Sequence, residues 1–159
     1  MLHPWKWFRE NVKTTITADF GGDLKVCTTK GYGVVPGWFK YNRFDGVYDT
    51  DYIEFWEASA FHDWCCVELK AGRAILGIEG QVLVYDQEGA DGEFFLLMLR
   101  AAQRVFMRLI SEGKHRSEAT KVCRELVKRA LVYHKGVRFW DRWAQRLGFR
   151  SKGVSDAAI

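Results

Sequence analysis

An aromatic-rich helix with an imidazole and a carboxylate side by side near its middle constrains this chain more than any other feature. Residues 54–66 read Glu-Phe-Trp-Glu-Ala-Ser-Ala-Phe-His-Asp-Trp-Cys-Cys, with Phe55, Trp56, Phe61 and Trp64 spread over more than one face. A helix that is apolar on most sides is buried on most sides. His62 and Asp63 are then carried into a poor solvent for charge, where each must be paired, metal-bound or chemically employed. The rest of the chain has to wrap this helix and supply those partners.

The flanking sequence says how. Asp51 stands where an N-cap belongs and Glu54 follows three residues later, a capping box that starts a helix running to about Leu69. Before it, residues 40–51 form a carboxylate-rich loop containing Asp45. Thr14–Phe20 and Leu24–Thr29 are β-rich runs either side of Gly21-Gly22-Asp23, the pattern of a hairpin, and Tyr32–Val35 is a further extended piece ahead of the Pro36-Gly37 turn. Residues 2–12 are a short aromatic segment suited to lying on an interface or, more simply, to covering the core. Residues 70–89 read as a loop plus a short strand. A long helix then starts at Ala90, with Asp91 in its first turn, and reaches Ile110; the short break at 111–114 makes the next helix antiparallel to it. That helix spans Ser117 to about Tyr133, and after Gly136 a shorter amphipathic helix covers 137–147.

The expected fold is α+β, an N-terminal antiparallel hairpin or small sheet packed on a bundle of three to four helices. Residues 1–150 form one domain with a basic helical C-terminal third, and 151–159 a flexible tail. With 159 residues, 15% of them aromatic, the chain has enough core to do without disulfides. Cys27, Cys65, Cys66 and Cys123 show no zinc-site spacing and read as reduced thiols, with Cys65 and Cys66 serving as small buried residues. The N-terminus does not read as a signal peptide, and no apolar run is long enough to span a bilayer. Charge is divided unevenly: residues 1–112 carry 12 Lys and Arg against 16 Asp and Glu, and residues 113–159 carry 12 against 4. A basic terminal third points to an anionic partner.

Two sets of residues are candidates for function. Neighbours on a helix point about 100° apart, so His62 and Asp63 serve one cleft in different roles rather than contacting each other well. A histidine base needs a carboxylate from elsewhere to hold its tautomer, and Asp91 is the candidate; the bland alternative makes Asp91 an ordinary N-terminal helix charge. The second set is Trp140 and Trp143 among Arg138, Arg142 and Arg146, with Phe139 beside them. It suits an anionic phospholipid surface, nucleic acid or docking in a particle, and equally a solvated helical face.

Phe61-His62-Asp63-Trp64-Cys65, followed by Ala90-Asp91-Gly92-Glu93-Phe94, resembles the His-Asp helix and the later Asp-containing helix of phospholipase A2-like proteins. The resemblance implies His62 as the general base, Asp91 as its orienting carboxylate, and Asp63 as a ligand of calcium, the implied cofactor. In layout, residues 14–105 also resemble a small phage-associated family of unknown function. The matching pieces are Val35-Pro36-Gly37-Trp38-Phe39, Asp45-Gly46, Ala58–Cys66 and Ala90–Phe94, and Asp45 joins the implied metal ligands. The implied protein is phage-type, hydrolyses phospholipid esters at a host envelope, and has an anionic lipid surface or other phage structural proteins as partners. Its implied place is the virion, or the host cytoplasm before release. The alternative is a non-enzymatic virion or tail assembly protein with a degenerate site. An HD-type phosphohydrolase would need more His or Asp ligands on neighbouring helices. An accessible His62 within reach of Asp91 is what the enzyme requires, and a pair sealed in the core is what the structural role requires.

Overall fold

The computed structural model describes residues 22–39, 53–148 and 153–154. The expected aromatic segment at 2–12, the strand Thr14–Phe20 and the loop carrying Asp45 and Asp51 lie outside the described residues.

Four short strands and three helices follow one another: β1 (Leu24–Thr28), β2 (Gly31–Val35), a single 3-10 turn (Ile53–Phe55), α1 (Trp56–Lys70), β3 (Ile75–Leu76), β4 (Val82–Val84), α2 (Gln87–Ser111) and α3 (Arg116–Arg146). The architecture is α+β, as the sequence pattern requires. β1 and β2 pair antiparallel in a register that sets Leu24 opposite Val35 and Thr28 opposite Gly31. The described hairpin therefore turns at Thr29-Lys30. Tertiary bonds hold that turn, because Glu93 of α2 accepts from the Thr29 backbone N–H at 3.1 Å and from its hydroxyl. Period-2 burial places Val26 and Val35 fully inside.

The segment read as a loop with one short strand is a second antiparallel pair, β3 with β4, irregular at Ile75-Leu76. It is linked to the first hairpin by Ile78 N–H donating to the Tyr32 carbonyl at 2.9 Å. Gly33 lets the hairpin lie close to both, since a Cβ there would come within 2.9 Å of Leu83 Cδ1 and 3.1 Å of Phe61 Cε2.

The helices hold the core, in which Phe55, Phe61, Leu69, Leu83, Phe94 and Met98 are the largest apolar residues wholly buried. α1 begins at Trp56, so its N-cap position is Phe55 and not the expected Asp51. α2 begins at Gln87, earlier than expected, because the Asp86 carboxylate caps it by accepting from Gly89 N–H at 2.7 Å. Asp91 consequently sits in the second turn rather than the first. Left-handed Gly72 and Gly113 end α1 and α2 and let the chain reverse.

The expected break at Gly136 is absent: α3 is one helix of 31 residues. Its buried residues Leu126, Ala130, Tyr133, Val137, Asp141 and Ala144 form one stripe at helical spacing that runs through the glycine without losing phase. Packing of that stripe on α2 outweighs the roughly 1 kcal/mol that a glycine costs inside a helix. A Cβ at Gly136 would meet nothing within 4 Å. Gly136→Ala is therefore expected to raise stability by about 0.5–1 kcal/mol, seen as a higher urea midpoint with an unchanged slope. The expected tail is described only at Gly153 and Val154, where Gly153 bridges Asp86 and Val154 N–H donates to the Tyr85 carbonyl at 2.9 Å.

Candidate functional site: a buried His–Asp cluster between three helices

The three helices each turn polar residues toward one point. α1 contributes His62, Asp63 and Cys66, α2 contributes Gln87 and Asp91, and α3 contributes Arg138 and Asp141. His62 and Gln87 follow from the core-facing stripes of their helices: Gln87, Asp91, Phe94 and Met98 lie on one side of α2, and Cys66 is one turn beyond His62 on α1. The sequence expectation that His62 and Asp91 meet corresponds to a contact of 2.9 Å between Nε2 and Oδ1. The Phe94 ring lies over the imidazole, centroid to centroid 4.9 Å.

Asp91 is the hub. Its Oδ1 faces His62 and accepts from Gln87 Nε2 at 3.1 Å, and its Oδ2 accepts from the Arg138 guanidinium at 3.1 Å. Arg138 also reaches Glu88 at 3.5 Å. Asp141 Oδ2 lies 3.9 Å from His62 Nε2. On the other edge of the ring, Nδ1 lies 3.8 Å from Asp63 Oδ1, and the Cys66 sulfur, which accepts from Gln87, is 3.9 Å from Nδ1. The cluster is sealed: His62 is 2% exposed, Asp91 0% and Asp141 1%.

Burial opposes charging of the ring, but the Cys66 sulfur, Asp63 and Asp91 around it outweigh burial and hold His62 well above the usual 6.5. Burial alone would raise Asp91. Hydrogen bonding to His62, then to Asp141, together with the His62 charge and Gln87, instead lowers it from 3.8 to about 2. The two directions agree on a buried imidazolium–carboxylate pair. Cys65 is buried, and burial first, then neighbouring Cys66, Glu93 and Asp63, raises its thiol well above 9.0, which leaves it unreactive. All four cysteines are free thiols.

The remaining expected site residues divide. Asp45 lies outside the described residues. Asp63 is buried on α1, yet the one gathering of three or more His, Cys, Asp or Glu ligands among the described residues is His62, Asp91 and Asp141. Calcium takes six to eight oxygens. Among the described residues, Asp63 is not part of any such gathering of His, Cys, Asp or Glu ligands. Arg138, expected on the surface with its neighbours, turns inward to Asp91, with 20% of its side chain exposed. The reason is helical phase: Arg138 and Asp141, three apart, share the inward side, and Trp140 and Trp143, also three apart, share the outward one. Trp140 and Trp143 are exposed, their rings 5.1 Å apart, with exposed Phe139, Arg142 and Arg146 alongside. No described helix is long and apolar enough to cross a membrane.

Gln87 and Asp141 belong to the cluster and did not emerge from the sequence. Asp141 carried a readable signal, since it continues the stripe through Tyr133 and Val137 once α3 is taken as unbroken. No protein-family model matches the chain, and no curated protein or solved structure matches it.

Proposed function

We propose that this chain is a phage-type protein, a non-enzymatic virion or tail assembly protein whose sealed His62–Asp91 pair is a structural element; the second reading makes the pair a phospholipase A2-like general-base site acting on phospholipid esters at a host envelope. What supports the second reading is the division of labour on the imidazole. Nε2 is held by Asp91 at 2.9 Å, which leaves Nδ1, on the Asp63 side, as the nitrogen that takes a proton. In that role neutral His62 removes a proton from water as the water attacks the ester carbonyl, and Asp91 stabilises the imidazolium that results. Gln87 and Arg138 fix the carboxylate. The exposed Trp140, Trp143 and Phe139, with Arg142 and Arg146, suit an anionic lipid surface.

The burial of both partners carries the first reading. A pair that is 2% and 0% exposed is what a non-enzymatic virion or tail assembly protein would keep as a structural element. Fatty-acid release from mixed phospholipid vesicles, with calcium and with a chelator, separates the two. The enzyme reading expects release that drops at least about 100-fold in His62→Ala. It also expects release that climbs with pH as the ring deprotonates, with its midpoint well above 6.5. Equal release by wild type and His62→Ala sinks it, and no release by wild type leaves the structural reading.

A further inference from the structure

We propose that His62, Asp91 and Asp141 form a buried site for one transition-metal dication of the zinc type, bound through the imidazole Nε2 and one oxygen of each carboxylate. The inference goes beyond the hydrolase reading and does not rest on it. The three ligand atoms lie within 4.8 Å of one another, from three different helices, and all three residues are buried. Nε2 is 2.9 Å from Asp91 Oδ1 and 3.9 Å from Asp141 Oδ2. These distances bracket the edge of about 3.3 Å that a tetrahedron of 2.0–2.1 Å bonds requires.

The outer shell of such a site is already built. A metal-bound histidine ordinarily turns its second nitrogen to a carboxylate, and its carboxylate co-ligands are themselves hydrogen-bonded. Here Nδ1 faces Asp63, while Gln87 and Arg138 both donate to Asp91. Asp91 Oδ1 and Asp141 Oδ2 both face His62 Nε2, and two carboxyl groups gathered that closely require a proton or a cation between them. A dication meets that requirement and takes the place of the Nε2 proton. An imidazole nitrogen with two carboxylates suits zinc, cobalt, manganese or iron(II), whereas calcium prefers oxygen alone. Cys66 is 3.8 Å from Nε2 but is not among the three mutually close ligands, so the site is assigned without a thiolate.

The test is titration of the full chain, stripped by chelation and gel filtration, with cobalt(II) chloride. One equivalent is expected to give visible ligand-field absorption without a thiolate charge-transfer band, and zinc is expected to displace it. Asp141→Asn, which keeps the side-chain volume, is expected to weaken cobalt binding by about 100-fold or more, beyond the 10–100-fold that outer-shell partners cost. Cys66→Ser is expected to leave it unchanged. If Asp141→Asn does not fold, the wild-type melt decides: zinc should raise the midpoint and calcium at the same concentration should not. Failure of the wild type to bind cobalt or zinc overturns the site, as does a thiolate band that disappears in Cys66→Ser. Cobalt binding without fatty-acid release keeps this site and removes the hydrolase reading, and the reverse pair of results does the opposite.

Discussion

Asp91→Ala is expected to cost about 3–5 kcal/mol of folding stability, enough to halve a typical domain's margin. The wild-type carboxylate accepts from His62, Gln87 and Arg138 at 2.9, 3.1 and 3.1 Å, and it is wholly buried. Removing it takes the shared acceptor from three donors inside the protein, one of them a permanent cation. Deleting one side of a buried ion pair costs more than replacing both sides with apolar groups. Adding Arg138→Met to Asp91→Ala should therefore recover part of the loss, so that the double variant falls short of the sum of the singles. Urea unfolding at constant slope measures all three proteins. A loss below about 1 kcal/mol for Asp91→Ala would show that the hub carries little of the fold, since even one buried donor left unmet costs about that much.

The same cluster shows what could be read from residues alone. His62 and Asp91 were legible because each interrupts an otherwise apolar stripe, and stripes on adjoining helices pack together. Asp141 was hidden by a local signal that misled: Gly136 reads as a helix stop, and a helix restarted after it has no defined phase relative to Leu126, Ala130 and Tyr133. Once the helix is continuous, Val137 and Asp141 fall on the buried stripe and Arg138 beside them. Composition alone groups Arg138 with Arg142 and Arg146, because it does not tell inward from outward arginines. Only the phase of the helix and the acceptor on α2 separate them. The turn at Thr29-Lys30 has a local signal in Gly31, which closes it at φ 128°, but its hold on the helices comes from Glu93, 64 positions away in the chain.

A cluster of this kind has two separable consequences for the protein. As structure, it ties α1, α2 and α3 together through Asp91, whatever chemistry follows. As a site, it offers one imidazole nitrogen to the Asp63 side and the other to a pair of carboxylates. The base reading needs the first nitrogen and the metal reading needs the second. A buried cluster that met only the structural need would tolerate replacement by apolar residues of similar volume, as buried ion pairs often do. Conversion of His62, Asp91, Arg138 and Asp141 together to Leu, Leu, Met and Leu distinguishes the cases: a stable fold that no longer binds cobalt or releases fatty acid assigns the polar residues to function.

In chelator, stability is expected to be greatest between about pH 4 and 6.5 and to fall on both sides. His62 is held well above 6.5 in the folded protein, so its contribution is complete below the unfolded value and disappears as pH rises through the folded one. Asp91 is lowered from 3.8 to about 2, so its contribution is present above 3.8 and is lost as pH falls through about 2. That shift corresponds to roughly 2 kcal/mol on the acid side. Both limbs report one ion pair and do not add. The groups around the ring are Asp63 and Cys66 of α1, Asp91 of α2, and Arg138 and Asp141 of α3, and the cation of Arg138 keeps the pair from being the only charge in play. Urea midpoints measured across the range test the sign. His62→Gln, which cannot titrate, is expected to flatten the alkaline limb, and Asp91→Asn to lose the part of the acid limb that this carboxylate supplies. A wild-type profile level from pH 6 to 9 would mean that folding does not raise the His62 pKa, and the imidazolium–carboxylate pair at the centre of the cluster would have to be given up.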